Sequence, residues 1–252
     1  MELNLQNKKV LITGASKGIG LNIAKNFIKE NAYVCVNSRV NKNLINVKNN
    51  INSEKLFLLK YDLSNEKNHS KILTHANKLM NGIDILICNL GDGRKIKSTG
   101  EETYKDWVSS LKINLLSATN LIFRSKKYLK KSTSPSIICV SSICGISTSG
   151  APLDYSASKS ALNMYVRNQS HLLAMHNIRI NIVSPGNIFS KDGRWPLKFK
   201  KNKELEKNII KNVPLKRFGT TSEIANAILF LSSDKSSFTT GANLIIDGGQ
   251  SA

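Results

Sequence analysis

The segment that decides the fold is TGASKGIG, residues 13–20, which begins at the end of the strand-like run KKVLITG and leads into the helix-like run LNIAKNFIKEN. Glycines at positions 14, 18 and 20 permit a tight turn and a close approach of a ligand to the backbone. The free N–H groups and the positive dipole end of the following helix attract phosphate. Glycines alone would also fit an ordinary turn, but a strand before them and a helix after them predict a dinucleotide-binding turn.

Short β-branched runs alternate with longer amphipathic runs along the whole chain. The predicted strands are KKVLITG, AYVCVNSR, KLFLLKYD, IDILICN, SIICVSS, IRINIVSPG and ANLIIDGG. Alternation of this kind requires right-handed crossovers and predicts an α/β fold: a Rossmann-type doubly wound parallel sheet of about seven strands with helices on both faces. We expect one domain over residues 1–252, with functional residues at the carboxyl ends of the strands.

The chain of 252 residues carries a formal net charge of +20, which would attract nucleic acid or an anionic membrane. The lysines are scattered, aromatic residues make up only 6% of the chain, and no nucleic-acid-binding motif is present. We therefore expect no specific nucleic-acid partner. An acidic small-molecule or carrier-protein substrate remains open.

The N-terminal sequence MELNLQNKKVLITG enters the first strand directly, and no apolar run approaches the roughly 20 residues that span a bilayer. Cys35, Cys88, Cys139 and Cys144 form no CxxC pair, and the first three lie in apolar strand-like runs that suit reduced thiols. These features predict a soluble cytoplasmic protein without a membrane partner.

The end of the second strand bears on the choice between NAD and NADP, because a carboxylate there would repel a 2′-phosphate. The sequence has Ser38 and Arg39 instead, and Arg39 together with Lys17 can bind that phosphate. Two solvated cations are the alternative interpretation. Asp62 follows the third strand and fits either an adenine contact or a turn. NADP(H) is the favoured cofactor, with NAD(H) second.

The sequence YSASK, residues 155–159, places Tyr155 and Lys159 four positions apart before a helix-like run. Residues at this spacing share a helix face, and a neighbouring ammonium stabilises a phenolate, so the pair suits proton transfer. Ser141 or Ser142 ends the fifth strand, where a hydroxyl can bind a substrate oxygen. Asn114 lies within an apolar helical pattern, and a buried Asn needs hydrogen-bond partners.

Taken together, the glycine turn, the Asn-containing end of the fourth strand, the strand-end serines, the Tyr-x-x-x-Lys pair and the Pro-Gly after the sixth strand resemble the short-chain dehydrogenase/reductase family. The resemblance covers nearly the whole chain in the family's order and spacing. It implies that Tyr155 is the general acid/base and that Ser142, the second serine, polarises the carbonyl. It further implies that Lys159 lowers the pKa of Tyr155 and holds the nicotinamide ribose, and that Asn114 keeps a water in the proton relay.

The resemblance also extends the predicted cofactor site, and no metal site is predicted. The full set of predicted cofactor-binding residues is Gly14, Ser16, Lys17, Gly18, Ile19, Gly20, Ser38, Arg39, Asp62, Leu63, Asn89, Gly91, Tyr155, Lys159, Pro185, Gly186 and Ile188. Two positions depart from the family pattern. Leu90 replaces a small residue beside the cofactor, and the threonine that often follows Pro-Gly is absent, with Ser190 as its candidate replacement.

The resemblance implies that about residues 187–212 form a mobile lid over the substrate. Its cations are Lys191, Arg194, Lys198, Lys200, Lys201 and Lys203, interleaved with Trp195 and Phe199. Such a lid suits an anionic substrate, whereas a solvated charge run is the alternative. We expect NADP(H)-dependent reduction of a carbonyl, and the resemblance to the family's 3-oxoacyl-carrier-protein reductases implies a 3-oxoacyl thioester.

Two other functions remain open at this point. One alternative substrate is a keto-sugar or nucleotide-linked sugar, because the segments CNLGDG and DGGQ and the Trp-containing lid resemble short-chain reductases of bacterial surface-polysaccharide synthesis. A non-catalytic NADP-sensing or nucleic-acid-binding protein is the alternative from another class, although a pure binder has no need of the Tyr155 and Lys159 pair. The family resemblance further implies a homotetramer formed through residues 102–131, 155–176 and the C-terminal strand.

Overall fold

The computed structural model describes residues 2–93, 99–148, 150–193 and 195–252. Its central sheet is parallel and has the strand order β3-β2-β1-β4-β5-β6-β9. The strands are β1 (Lys9–Ile12), β2 (Tyr33–Ser38), β3 (Leu56–Lys60), β4 (Ile85–Cys88), β5 (Ser136–Val140), β6 (Arg179–Pro185) and β9 (Asn243–Ile246). A separate pair joins β7 (Ile188–Phe189) to β8 (Gly219–Thr220). The predicted seven-stranded parallel sheet is confirmed.

Helices cover both faces of this sheet, as predicted. One face carries α1 (Gly18–Lys29), α2 (Asn41–Asn50) and α9 (Thr221–Ser232), and the other carries α3 (Lys67–Met80), α5 (Ser117–Leu129) and α6 (Leu153–Ala174). The remaining helices are α4 (Tyr104–Leu111), α7 (Trp195–Lys201) and α8 (Lys203–Lys211). No helix in the described ranges is long and apolar enough to span a membrane.

The alternation of side chains along the strands explains the two cores. In β1, Val10 and Ile12 enter one buried cluster and Leu11 enters the other, because successive side chains point to opposite faces. Both faces are buried, which accounts for the continuous apolar runs in the strand sequences. On α1, Ile23 and Phe27 are spaced for one helix face and fill the first cluster.

The strand order reverses between β1 and β4, and ligands of open α/β sheets bind at such a switch point. The glycine turn follows β1, and the segment 89–91 follows β4. The two loops therefore meet at the carboxyl edge of the sheet, where the candidate site lies.

Candidate active site

The glycine turn needs glycine for backbone and for steric reasons. Gly14 and Gly18 have φ values of +62° and +57°, in the left-handed region. A Cβ on Gly20 would lie 2.5 Å from Asn89 Nδ2, whereas one on Gly18 would meet only Ser190 Oγ at 3.7 Å. The first turn of α1 has no acidic residue and no side-chain cap. Its N–H groups are thus left for an anion, and the backbone at Gly18 is open to it.

Thr13, which the sequence analysis overlooked, ties this turn to the loop after β4. Its hydroxyl donates to the Ile87 carbonyl at 3.3 Å and accepts the N–H groups of Asn89 and Leu90, each at 3.1 Å. The Asn89 amide in turn donates to the carbonyls of Thr13 and Gly14 at 3.1 and 2.9 Å. The predicted cofactor residue Asn89 therefore holds the two loops together.

Leu90 fits beside the turn because Gly14 has no side chain. A Cβ on Gly14 would lie 2.9 Å from Leu90 Cα and 3.3 Å from Leu90 Cδ1. The bulkier residue at position 90 is therefore packed against the glycine. Ser16 and Ile19 of the same turn are half-buried, and Lys17 is exposed as the residue that precedes α1.

The carboxyl ends of β2 and β3 form the predicted adenosine end of the site. Ser38 is buried at the end of β2, and Arg39 follows it in solvent. The neighbouring Asn37 donates to the carbonyls of Leu59 and Tyr61, which fixes β2 against the end of β3. Arg39 is thus presented from a rigid strand end without a carboxylate in the Asn37–Arg39 segment.

Asp62 takes the turn role that its sequence allowed. Its Oδ1 accepts the Ser64 N–H at 2.9 Å and the Ser64 hydroxyl at 2.7 Å. The hydrogen bond from the Ser64 N–H lowers the pKa of Asp62 below its ordinary value. Partial burial acts to raise this pKa, whereas the Ser64 hydroxyl and the charge of Arg39 lower it further. Leu63 is buried in the core, and its carbonyl contacts His69 Nε2 at 2.8 Å. An adenine contact of Asp62 or of the Leu63 backbone remains a prediction.

Lys159 lies in the interior of the protein, on α6. Only 2% of it is exposed, and its ammonium donates to the Val140 carbonyl at 2.9 Å. Nζ lies 5.8 Å from the centroid of the Tyr155 ring, so the two residues do share a helix face. Burial lowers the pKa of Lys159 to about 8, against the charges of the Cys139, Cys88 and Cys144 thiols, which act to raise it. A buried cation beside a phenol is a proton-transfer arrangement.

The two strand-end serines have different surroundings. The Ser141 hydroxyl points toward the Lys159 carbonyl at 3.5 Å and is buried under α6. Ser142 caps the 3-10 turn Ile143–Gly145, and its Oγ accepts the Cys144 N–H at 3.2 Å, which leaves its hydroxyl hydrogen for another acceptor. This geometry favours Ser142 as the hydroxyl that binds a substrate oxygen. Gly145 lets α6 approach, since a Cβ there would lie 2.7 Å from the Lys159 carbonyl carbon.

Asn114 lies in a π-helical turn, Lys112–Leu116, where the sequence pattern predicted regular helix. Its Oδ1 accepts the Asp92 N–H at 2.8 Å, and its Nδ2 donates to the Asp92 carbonyl at 3.1 Å and to Ser110 Oγ at 3.1 Å. A Cβ on Gly91 would lie 3.2 Å from both Asn114 Oδ1 and Lys159 Nζ. π-Helical turns recur at functional sites, and this turn lies close to Lys159.

The predicted nicotinamide end lies after β6. Gly186 packs on Asp247, where a Cβ would approach within 2.6 Å, and Pro185 is buried beside it. Ile188 begins β7 and packs against the first core cluster. Ser190, the candidate replacement for the family threonine, lies next to the glycine turn at Gly18.

The predicted lid segment is held by aromatic contacts as well as by β7 and β8. The Trp195 and Phe199 rings stack with centroids 5.7 Å apart, and each ring lies 5.5 Å from Phe218. Lys191 and Lys200 are exposed. Arg194 and the side chains of Lys198, Lys201 and Lys203 lie outside the described residues. The interleaved aromatic residues thus pack on one another, while the described cations face solvent.

The C-terminal DGGQ sequence forms a turn. Asp247 accepts the N–H groups of Gly249 and Ser251, and Gly248 and Gly249 have φ values of +67° and +86°. Gln250 accepts from the Asn187 side chain at 2.9 Å, which ties the turn to the base of the lid. These contacts explain the DGGQ sequence by its role in the turn, without reference to a sugar substrate.

A glycine turn at the switch point of a parallel sheet, with a Ser, Tyr and Lys beside it, defines a nicotinamide-dependent oxidoreductase. A family model described as Enoyl-(Acyl carrier protein) reductase matches residues 14–251. The protein belongs to the short-chain dehydrogenase/reductase family.

Named relatives of the chain act on different substrates. Glucose 1-dehydrogenase of Gluconobacter oxydans is 33% identical, over 96% of this chain and 91% of the relative. The 3-oxoacyl-[acyl-carrier-protein] reductase of Chlamydia pneumoniae is 31% identical over 99% of both chains. The solved structure of Cj0485 dehydrogenase superposes with a TM-score of 0.90 at 29% identity, covering 100% of this chain and 96% of that one.

Proposed function

We propose that the protein is a cytoplasmic NADP(H)-dependent reductase of 3-oxoacyl thioesters, which are either small molecules or bound to a carrier protein. The observation that carries this proposal is the buried Lys159 ammonium 5.8 Å from the Tyr155 ring, next to the Ser142 turn. Burying a lysine is costly, and a protein that only bound a dinucleotide would not need a phenol beside that lysine. The non-catalytic alternative is correspondingly weaker.

The residues present fit NADP(H). The open backbone at Gly18 and the uncapped start of α1 suit its pyrophosphate. Lys17 and Arg39 are both exposed cations, and Arg39 stands where a carboxylate would reject the 2′-phosphate. Ser38 and Arg39 would hold the adenosine phosphate, while Asn89, Gly91 and Lys159 would face the nicotinamide ribose.

The bound nicotinamide would supply the hydride, and the protein handles the proton. The Ser142 hydroxyl donates a hydrogen bond to the substrate carbonyl and makes its carbon more electrophilic. Tyr155 Oη gives its proton to the developing alkoxide, and the Lys159 ammonium stabilises the phenolate that remains. The π-helical turn at Asn114 holds the Gly91 loop against Lys159, where a relay water would be bound.

The named relatives and the charge of the predicted lid bear on the choice of substrate. The 3-oxoacyl reductase relative supports an acyl thioester, and the exposed lysines of the lid suit the phosphates of such a substrate. Glucose 1-dehydrogenase, at 33% identity, supports a sugar as the second candidate.

Exposed apolar side chains support a homotetramer. Phe123 on α5 and Met164 on α6 are 65% and 56% exposed. Leu244 and Ile245 are partly exposed on β9, the edge strand of the sheet. Apolar patches of this kind mark protein interfaces, and an unpaired strand edge favours pairing with another copy.

The proposal is tested by oxidation of NADPH, and separately of NADH, with acetoacetyl-CoA. We expect turnover with NADPH and not with NADH. The turnover rate should fall about 10³-fold or more in Tyr155→Phe and should be unchanged in Tyr165→Phe, the control on the same helix. Equal turnover by Tyr155→Phe would refute the mechanism. Tight NADPH binding without turnover of acetoacetyl-CoA would refute the proposal that the substrate is a thioester. Keto-sugars would then be the next substrates to assay.

A further inference from the structure

A buried chain of hydrogen bonds links the loop after β4 to the first turns of α6. Asn114 Nδ2 contacts Ser110 Oγ at 3.1 Å, Ser110 Oγ contacts Ser158 Oγ at 3.4 Å, and Ser158 Oγ donates to the Asp154 carbonyl at 2.6 Å. Ser110, Asn114 and Ser158 are each no more than 1% exposed. Asn114 was predicted from the sequence, whereas its links to Ser110 and Ser158 were not.

The direction of each bond follows from its partners. Asn114 Oδ1 accepts the Asp92 N–H, so its Nδ2 is the donor toward Ser110. A carbonyl can only accept, so the Ser158 hydrogen points to Asp154 and its oxygen is left as an acceptor. The Ser110 hydrogen therefore points to Ser158, and one serine hydroxyl serves both neighbours.

The chain joins residues that the proposed mechanism uses. Its first member, Asn114, lies beside Gly91, and a Cβ at Gly91 would be 3.2 Å from Lys159 Nζ. Its far member, Ser158, directly precedes Lys159 and lies one turn after Tyr155 on α6. A shift at either end would move the buried ammonium relative to the phenol.

We propose that Ser110 is a positioning residue for proton transfer, acting through Asn114 and Ser158. An apolar residue at position 110 could fill the space between α4 and α6, but it would leave a buried amide hydrogen of Asn114 without its Ser110 acceptor. A buried unsatisfied donor is costly enough that the π-helical turn would shift to satisfy it. The inference rests on the proposed function, since it assigns Ser110 to the same proton relay.

The test compares Ser110→Ala with Ser109→Ala, which removes a half-buried hydroxyl from the adjacent position of α4. We expect Ser110→Ala to lower kcat about tenfold, the low end for loss of an outer hydrogen-bond partner in an active site. Its kcat–pH profile should be displaced, while KM for NADPH stays within about twofold of wild type, because Ser110 bonds to Asn114 and Ser158 and to neither the glycine turn nor Arg39, which would hold the phosphates. Ser110→Thr should restore kcat and the profile, and Ser109→Ala should match wild type.

Tyr155→Phe, measured alongside, separates the two proposals. If Tyr155→Phe is active, the proposed function fails whatever Ser110 does. If Tyr155→Phe is inactive but Ser110→Ala has the kcat and pH profile of wild type, only the Ser110 inference is overturned. Should Ser110→Ala not fold, Ser158→Ala removes the other end of the link, and an undisplaced pH profile there overturns the inference as well.

Discussion

The proposed catalytic floor, formed by Asn114, Ser142 and Lys159, and the predicted lid, about residues 187–212, are packed in opposite ways. The floor comprises Asn114, Ser142 and Lys159, which are 1%, 8% and 2% exposed and have defined hydrogen-bond partners. The lid, residues 187–212, presents exposed Lys191 and Lys200 on a base of packed aromatic rings. On the proposed function, buried contacts would fix the reaction, whereas surface groups would influence the choice of substrate.

Replacing Lys159 with Met should produce the largest change in the floor. Loss of a positioned proton-transfer group lowers kcat by about 10²- to 10⁴-fold. Stability should rise although kcat falls. The pKa of Lys159 is about 8 in the folded protein against 10.5 for an ordinary lysine, so below pH 8 the folded protein buries an ammonium at a cost in free energy. Thermal unfolding at pH 7 should therefore give a higher Tm for Lys159→Met than for wild type.

The pH dependence has a definite sign. Between pH 8 and about 10.5 the unfolded chain holds a proton that the folded chain has released, so this group makes the wild type more stable as pH rises through that window. The Tm advantage of Lys159→Met should thus shrink from pH 7 to pH 10. An advantage that is absent at pH 7, or that grows with pH, would mean that the buried ammonium carries no such cost.

At the predicted cofactor end, the exposed Arg39 directly follows the buried end of β2. Arg39→Asp should raise KM for NADPH by about 10- to 100-fold, since it removes a charge-assisted contact worth about 1.5–3 kcal/mol and adds repulsion. KM for NADH should fall or stay unchanged. Lys42→Asp makes the same charge change on nearby α2 and serves as the control. An equal loss for both cofactors would show that Arg39 has no role in selecting the phosphate.

The floor was largely predictable from sequence and the lid was not. Strand periodicity, the glycine turn and the Tyr155–Lys159 spacing are local patterns, so they could be read without tertiary information. The π-helical turn and the Ser110 and Ser158 contacts arise where α4 and α6 meet, and the only sequence signal was a serine four residues before Asn114. Thr13 could have been noticed as a polar residue at the end of a buried strand.

The lid was harder because its partners are distant in sequence. Phe218 completes the aromatic group formed by Trp195 and Phe199, but it lies beyond the predicted lid boundary at residue 212. Charge and aromatic content suggested an anion site, whereas the structure shows the rings occupied with each other. Composition alone does not reveal such pairing.

Phe218→Ala tests whether this aromatic base matters to substrate binding. The Phe218 ring is half-buried, so we expect its removal to lower the free energy of unfolding by about 1–2 kcal/mol and Tm by about 2–8 °C. KM for acetoacetyl-CoA should rise several-fold with kcat largely kept, because the floor is untouched. Phe57→Ala removes a half-buried ring from β3, far along the sheet, and should lower Tm without changing KM. A large drop in kcat would show that the lid and the floor are coupled.

The smallest effect is expected from the lid charges themselves. The double substitution Lys191→Gln and Lys200→Gln removes two exposed cations, and exposed charges act at long range mainly at low ionic strength. KM for acetoacetyl-CoA should rise about two- to fivefold at 0.01 M salt, where the Debye length is about 30 Å, and the difference should vanish near 1 M, where it is about 3 Å. Lys42→Gln with Lys48→Gln on α2 makes the same change in net charge away from the lid, so it separates local attraction from the +20 charge of the whole chain. Equal KM values for the two double variants at low salt would make the lid lysines an ordinary solvated surface. The proposed preference for a thioester would then have to come from the apolar part of the predicted lid.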